Sequence, residues 1–261
     1  MTPLCLHQIW LQGHHVIPSK YDAARQSWKT LHPHWTFKVW DEMQLANLAK
    51  GTRWELAISL TKSLIQRADV YRCVILENEG GVYADMDMMA LRPLDDLLDS
   101  RILVGKTSMT HWPFFSSFMK LNNGLLASPA HHPFWSSELL PVLLVALQSH
   151  TLLDDMSSVW HVLRSTGPGL WSSMYTSQSL HIVPYHLFYS LSVHKKQHVK
   201  EGDIQQLLQE GCYTYHMQDS AWIIGWEKTV LSAFIGSAWK ISVPTLLCLV
   251  CCFLLLLKRN K

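Results

Sequence analysis

Residues Arg67 to Leu94 read RADVYRCVILENEGGVYADMDMMALRPL. An apolar run (Cys73, Val74, Ile75, Leu76) leads into Gly80-Gly81, and a short strand, Val82-Tyr83-Ala84, delivers two carboxylates, Asp85 and Asp87. On an extended chain, residues i and i+2 point the same way. Two like charges side by side repel unless a cation sits near them. The pair therefore reads as a divalent metal site at a strand end, since hard cations take oxygen ligands. A diphosphate held by that metal would be a leaving group in position. A bare D-x-D is weak by itself, because close carboxylates also occur in turns and helix caps.

Arg67, Asp69 and Arg72 lie just upstream. On a helix, Asp69 and Arg72 are i,i+3 neighbours on one face. As a surface ion pair they would be worth about 0–1 kcal/mol. The other reading is an Asp that holds a sugar hydroxyl and an Arg that orients it.

R-x-D-x-x-R, a strand, G-G-x-Y-x-D-x-D and then R-P-L resemble the DXD sugar-binding signature of family-32 glycosyltransferases. That family includes yeast-type initiating mannosyltransferases and inositol-phosphoceramide mannosyltransferases. A more distant resemblance is to the glucosyltransferase core of large clostridial toxins. The resemblance implies the GT-A fold, an α/β domain with a mostly parallel sheet flanked by helices. It also implies a metal-dependent enzyme, using Mn²⁺ or Mg²⁺, that retains anomeric configuration.

Further segments fit that pattern. His32-Pro33-His34-Trp35 and Thr36 to Asp41 match an H-P-x-W-x-x-x-x-W-D element. Thr166-Gly167-Pro168 matches a T-G-P turn before a helix, where backbone N–H groups could meet acceptor or phosphate, or form a plain tight turn. Asn122 or Asn123 would touch the donor sugar, Asn123 being favoured because it begins a strand; an Asn-Gly turn is the alternative. Trp10, at the end of the first strand, would stack on a nucleobase or pack in the core. His216, followed by Ser220-Ala221-Trp222, matches the segment that closes over the diphosphate in such enzymes. The resemblance thus makes Asp87, His216 and Ser220 metal ligands and sends Asp85 to the ribose or a metal-bound water. It gives Trp222 an indole N–H for the leaving diphosphate and sets Asp69 and Arg72 on the sugar hydroxyls. No residue presents itself as a general base or nucleophile.

Composition is consistent with one core of this size. The 261 residues have a formal charge of +2, so no basic surface argues for nucleic acid. Apolar residues make up 48% and charged residues 16%, a tilt toward burial or membrane contact. The six cysteines suggest no disulfide framework. Cys5 and Cys73 are expected in strands, and Cys248, Cys251 and Cys252 fall in an apolar run near the C-terminus.

Ile241 to Leu257 carries no charge and is flanked by Trp239-Lys240 and by Lys258-Arg259-Asn260-Lys261. At about 1.5 Å per residue it would span about 26 Å as a helix, the short end for a bilayer core. The expected organisation is a catalytic domain over 1–232, a juxtamembrane linker over 233–240, a transmembrane helix over 241–257 and a basic tail over 258–261. The start, MTPLCLHQIWLQG, reads as a first strand rather than a signal peptide. A tail anchor would leave the domain cytosolic; the positive-inside rule would put the tail there and the domain in the lumen. The resemblance favours a Golgi or other endomembrane location on either side.

Along the chain, strands are expected over 4–10, 36–40, 82–84, 101–105 and after Asn122. Helices are expected over 21–31, 42–48, upstream of the signature, 134 onward, 141–148 and after Pro168. Alternating strands and helices argue for a mainly parallel sheet with nucleotide bound at strand ends.

The expected partners are a nucleotide-sugar donor and a membrane lipid or glycan acceptor, with room for a regulatory membrane subunit. The T-G-P turn, the N-x-x-x-x-S-x-x-H-P-F segment and the C-terminal apolar run most resemble the inositol-phosphoceramide mannosyltransferases, which points to GDP-mannose. UDP-sugar transfer to glycan or protein, and a non-catalytic sugar-nucleotide-binding module anchored to the membrane, are the alternatives. A metal-dependent phosphohydrolase would call for more clustered His and Asp ligands than the sequence offers.

Overall fold

The computed structural model describes residues 1–13, 16–107, 118–152, 154, 157–190 and 200–217. The chain divides into the units Met1–Asp219 and Ser220–Lys261, and every described residue falls in the first. The expected boundaries at 232, 240 and 257, the apolar run Ile241 to Leu257, and the candidate residues Ser220 and Trp222 lie outside the described residues. Among the described residues no helix is long and apolar enough to cross a membrane.

A six-stranded sheet organises the domain in the order β2-β1-β3-β6-β5-β7. These strands are β1 (Cys5–Ile9), β2 (Thr36–Trp40), β3 (Gly81–Ala84), β5 (Ile102–Lys106), β6 (Leu121–Ser128) and β7 (Leu180–Val183). The pairs β1–β2, β1–β3 and β5–β7 are parallel. β6 runs antiparallel to both its neighbours, β3 and β5, so the expected mainly parallel sheet is in fact mixed. A small second sheet pairs β4 (Met88–Ala90) with β8 (Thr214–His216).

Both faces of the inner strands β1, β3, β5 and β6 are largely buried, which explains apolar runs such as Val82-Tyr83-Ala84 and Ile102-Leu103-Val104. Alternate side chains feed two cores. Tyr83, Ile102, Val104 and Leu126 join one with the helices α2 (Glu42–Ala49), α3 (Trp54–Ser59), α4 (Leu64–Asn78) and α5 (Leu140–Gln148). Val82, Ala84, Leu103 and Leu125 join the other with Trp28 of α1 (Asp22–Leu31) and Phe188 of a later helix. The remaining α-helices among the described residues are α6 (Ser158–Ser165), α7 (Pro168–Ser173), α8 (Tyr185–Tyr189) and α9 (Glu201–Gln209).

Local signals account for several boundaries. Asp41 caps α2 through a reciprocal capping box with Gln44, the D-x-x-Q form of the motif. Ser63 caps α4 by accepting from the Gln66 N–H. Gly80 ends α4 at φ +65°, and Gly81 follows at φ +89° against the Cys5 carbonyl of β1. Both angles are in the region that favours glycine, so the Gly-Gly turn is as the spacing predicts.

One expectation is corrected. Cys73, expected in a strand, lies with Val74 to Leu76 in the last two turns of α4. A short apolar run reads equally as a buried strand or a buried helix segment. Here Val70 through Leu76 is buried without a break, because α4 is packed among α2, α3 and the sheet.

Candidate active site

The two carboxylates do not sit on an extended chain. β3 stops at Ala84, and the Met88 N–H donates to the Asp85 carbonyl, closing a turn over Asp85 to Met88. The expected side-by-side projection from a strand is therefore replaced by a turn between β3 and β4. The turn still brings the carboxylates together, and β8 supplies a third group. Met88 is in register with His216, and Met217 N–H donates to the Asp87 carbonyl. His216 Nε2 consequently lies 3.2 Å from Asp87 Oδ1. One ligand atom each from Asp85, Asp87 and His216 falls within 4.8 Å of the others.

The electrostatics suit a cation. Burial and the neighbouring Asp87 push the Asp85 carboxyl up, against the pull of Arg72. Burial alone would lower His216, but the adjacent Asp87 and Asp85 carboxylates outweigh it and raise it. A divalent ion relieves that crowding of negative charge. Two carboxylate oxygens and one imidazole nitrogen make a mixed donor set, compatible with Mn²⁺ and less suited to all-oxygen Mg²⁺ coordination.

Asp69 and Arg72 are not a surface pair. Both are on α4 and about 6% exposed. Arg72 Nη2 lies 2.8 Å from Asp69 Oδ1 and 3.4 Å from Asp85 Oδ1, bridging the α4 carboxylate to the metal-site carboxylate. Its Nη1 donates to the Asn123 carbonyl, and its guanidinium lies 4.6 Å over the Tyr83 ring. Asp69 accepts from Asn123 Nδ2 at 3.0 Å and from Thr166 Oγ1 at 2.7 Å. Burial pushes the Asp69 carboxyl up, with Arg72, Thr166 and Asn123 pulling the other way. Tyr83 donates its hydroxyl to Asp85 Oδ1 at 2.8 Å. Asp85 is thereby held from two sides, leaving Oδ2 uncommitted among these contacts.

Asn123 rather than Asn122 enters this cluster. The segment is not an Asn-Gly turn: Asn122, Asn123 and Gly124 lie within β6, and Asn122 Oδ1 accepts from the Gly124 N–H. The T-G-P element opens α7 as expected, but its threonine side chain goes to Asp69. Thr166 and Tyr83 were not singled out as individual contacts from sequence. The repeated motif letters around them were the available signal.

Trp10 follows β1, with its ring edge-on to Tyr21 at 5.7 Å and partly buried against the cluster that holds Met86 and Tyr215. Its buried indole N–H has no hydrogen-bond partner among the described residues.

Fold and site together define a helix-flanked α/β domain with a candidate divalent-metal centre just beyond a strand end. Residues 18–103 match the family described as "Glycosyltransferase sugar-binding region containing DXD motif". The sequence is 29% identical over 174 residues to inositol phosphoceramide mannosyltransferase 2 of Schizosaccharomyces pombe, covering 64% of this chain and 44% of that one. It is 31% identical over 175 residues to mannosyl phosphorylinositol ceramide synthase SUR1 of Saccharomyces cerevisiae, covering 64% and 40%. The chain spans about half the length, or less, of the curated relatives it matches. Among solved structures, the PaToxG glycosyltransferase aligns with a TM-score of 0.47 at 15% identity, over 68% of this chain and 70% of that one.

Proposed function

We propose that this protein is a metal-dependent glycosyltransferase of GT-A type that moves mannose from GDP-mannose onto an inositol-phosphoceramide glycolipid. The observation that carries the reaction class is the Asp85, Asp87 and His216 cluster, joined through Arg72 to the buried Asp69 and Asn123. The choice of mannose and of a lipid acceptor is supported by the names of the relatives, three of which are inositol phosphoceramide mannosyltransferases.

Departure of a nucleoside diphosphate needs its charge neutralised. A Mn²⁺ ion held by Asp85, Asp87 and His216 would supply Lewis-acid stabilisation of that leaving group. The chain's own residues do the positioning. Tyr83 and Arg72 fix Asp85, so the carboxylate needs little reorganisation when a cation is bound. Asp69 and Arg72 are held by Asn123 and Thr166 in a geometry that would orient sugar hydroxyls. Trp10 would stack on the base. Ser220 and Trp222 would close over the diphosphate, and Ile241 to Leu257 would tether the enzyme beside its lipid acceptor in the endomembrane system, raising its effective concentration.

The test is turnover of a sugar-nucleotide panel by the full chain in detergent with Mn²⁺, with and without inositol-phosphoceramide, against Asp87→Ala. The expected result is nucleotide release from GDP-mannose and a mannosylated lipid, both abolished in the variant. Release from a UDP-sugar alone would replace the donor. A folded chain that binds no nucleotide would overturn the reading.

A further inference from the structure

β6 carries an irregularity at the site. Against β5 its register runs Leu103 to Ala127 and Val104 to Leu126, then jumps to Gly105 opposite Asn122. Asn123, Gly124 and Leu125 are thus looped out from β5 as a special bulge of three residues. On the other side β3 still pairs Ala84 with Leu125, and the Asp85 N–H donates to the Gly124 carbonyl. The looped-out residues are those that meet the site. Asn123 offers its carbonyl to Arg72 and its amide to Asp69, and Gly124 packs against the Asp85 carboxylate.

A single side chain fills the gap on the β5 side. The Tyr189 hydroxyl accepts from the Leu125 N–H at 2.9 Å and donates toward the Asn122 carbonyl at 3.4 Å. It therefore spans both ends of the bulge. Tyr189 is 2% exposed, and burial raises its phenol so that it keeps its proton and can accept and donate together. Gly105 makes the space: a Cβ there would lie 2.7 Å from the Tyr189 ring and 2.8 Å from the Phe188 ring. The Tyr189 ring also stands edge-on to the His216 imidazole at 5.9 Å. Its helix, α8, is tied to β8, because the Tyr213 N–H donates to the Leu187 carbonyl and Thr214 Oγ1 to the Phe188 carbonyl.

We infer that Tyr189 is a positioning residue for both halves of the site. Its hydroxyl holds the β6 bulge in the shape that presents Asn123 to Arg72 and Asp69, and its ring sets His216 beside Asp87. The inference rests on the glycosyltransferase reading above.

Two variants separate the two roles in the 261-residue chain. Tyr189→Phe removes the hydroxyl and keeps the ring; Tyr189→Leu removes both. Mn²⁺ affinity is read by electron paramagnetic resonance, donor turnover with GDP-mannose and the UDP-sugars, and folding by thermal melting. Tyr189→Phe is expected to keep Mn²⁺ affinity but to lose about 10-fold or more in kcat, the range seen when an outer partner of a site is removed. Tyr189→Leu is expected to weaken Mn²⁺ binding as well. Because hydroxyl and amide act through one bulge, Tyr189→Phe combined with Asn123→Ala should be little worse than Asn123→Ala alone. A lowered melting point with Mn²⁺ affinity and kcat at wild-type values would mean a structural role only and would sink the inference. If wild type turns over donor and both variants match it, the inference fails while the function stands. If folded wild type binds neither Mn²⁺ nor nucleotide, both fall.

Discussion

His216 Nε2 stands 3.2 Å from Asp87 Oδ1, although the two residues belong to distant parts of the chain. The β4–β8 pairing sets that distance by placing His216 opposite Met88. His216→Ala should therefore lower Mn²⁺ affinity by at least about 10-fold while the small sheet, whose ladder uses backbone groups, survives. Calorimetric titration of Mn²⁺ checks this. Unchanged affinity would remove His216 from the ligand set.

Gly124 lies so close to Asp85 that an added Cβ would sit 2.9 Å from Oδ2. Tyr83 and Arg72 already hold the other oxygen, so the carboxylate has little freedom to yield. Gly124→Ala is expected to weaken Mn²⁺ binding more than it lowers the denaturation midpoint. Equal loss in both would point to general damage to β6.

Asp69 compensates a guanidinium buried to the same degree. Removing Asp69 leaves Arg72 only the longer contact to Asp85 Oδ1 at 3.4 Å, and breaking a buried pair costs up to about 3–5 kcal/mol. Asp69→Ala should shift urea unfolding by roughly that amount. Asp69→Asn, which keeps a carbonyl oxygen as an acceptor for Arg72, should cost less. A change below about 1 kcal/mol for Asp69→Ala would show the pair to behave as an exposed one.

His7 supplies an acid-dependent term in stability. It is fully buried in β1, Trp40 Nε1 donates to its Nδ1 at 3.1 Å, and burial, with Lys38, holds it down to about 4. The unfolded chain takes up this proton near pH 6.5 and the folded chain does so only near 4. Stability from this group is thus intact above about 6.5 and falls as pH drops through that window, by about 3 kcal/mol in all. Urea midpoints at pH 7 and pH 4.5 should differ more in wild type than in His7→Gln. Identical acid slopes would rule His7 out as the source.

Gly81 and Gly202 should respond to alanine in opposite directions. Gly81 has φ +89° and its Cβ would meet the Cys5 carbonyl at 2.6 Å, so Gly81→Ala should cost several kcal/mol, about the sum of strain and clash. Gly202 lies in α9 with nothing within 4 Å, and Gly202→Ala should stabilise by about 0.5–1 kcal/mol. Thermal melts of the two variants decide it.

Elements with local signatures were legible. The Asp41 capping box, the Gly80-Gly81 turn and β1, β2 and β5 rest on side chains and angles set within a few residues. Cys73 reads as strand in sequence but is helical, because the short apolar run it begins has no period to distinguish the two forms. The Asn122 to Gly124 segment leaves turn and strand open in sequence, and only distant partners decide for strand: Asn122 lies opposite Gly105 of β5, and the Asp85 N–H donates to the Gly124 carbonyl. The reversal of β6 was not legible either, since strand direction follows from how the connections cross the molecule rather than from the strand's own residues.

The sequence by itself determined the ingredients: the spacing of Asp69, Arg72, Asp85 and Asp87 and the turn chemistry that ends α4. Those depend on neighbours along the chain, where a motif's letters carry its geometry. Only the tertiary structure decided that Asp69 and Arg72 are buried, that Thr166 and Asn123 close on them, and that Tyr189 fills the β6 bulge beside His216. Those contacts join residues far apart in sequence. They form when both sheet faces are covered and the buried polar groups must find partners within the fold.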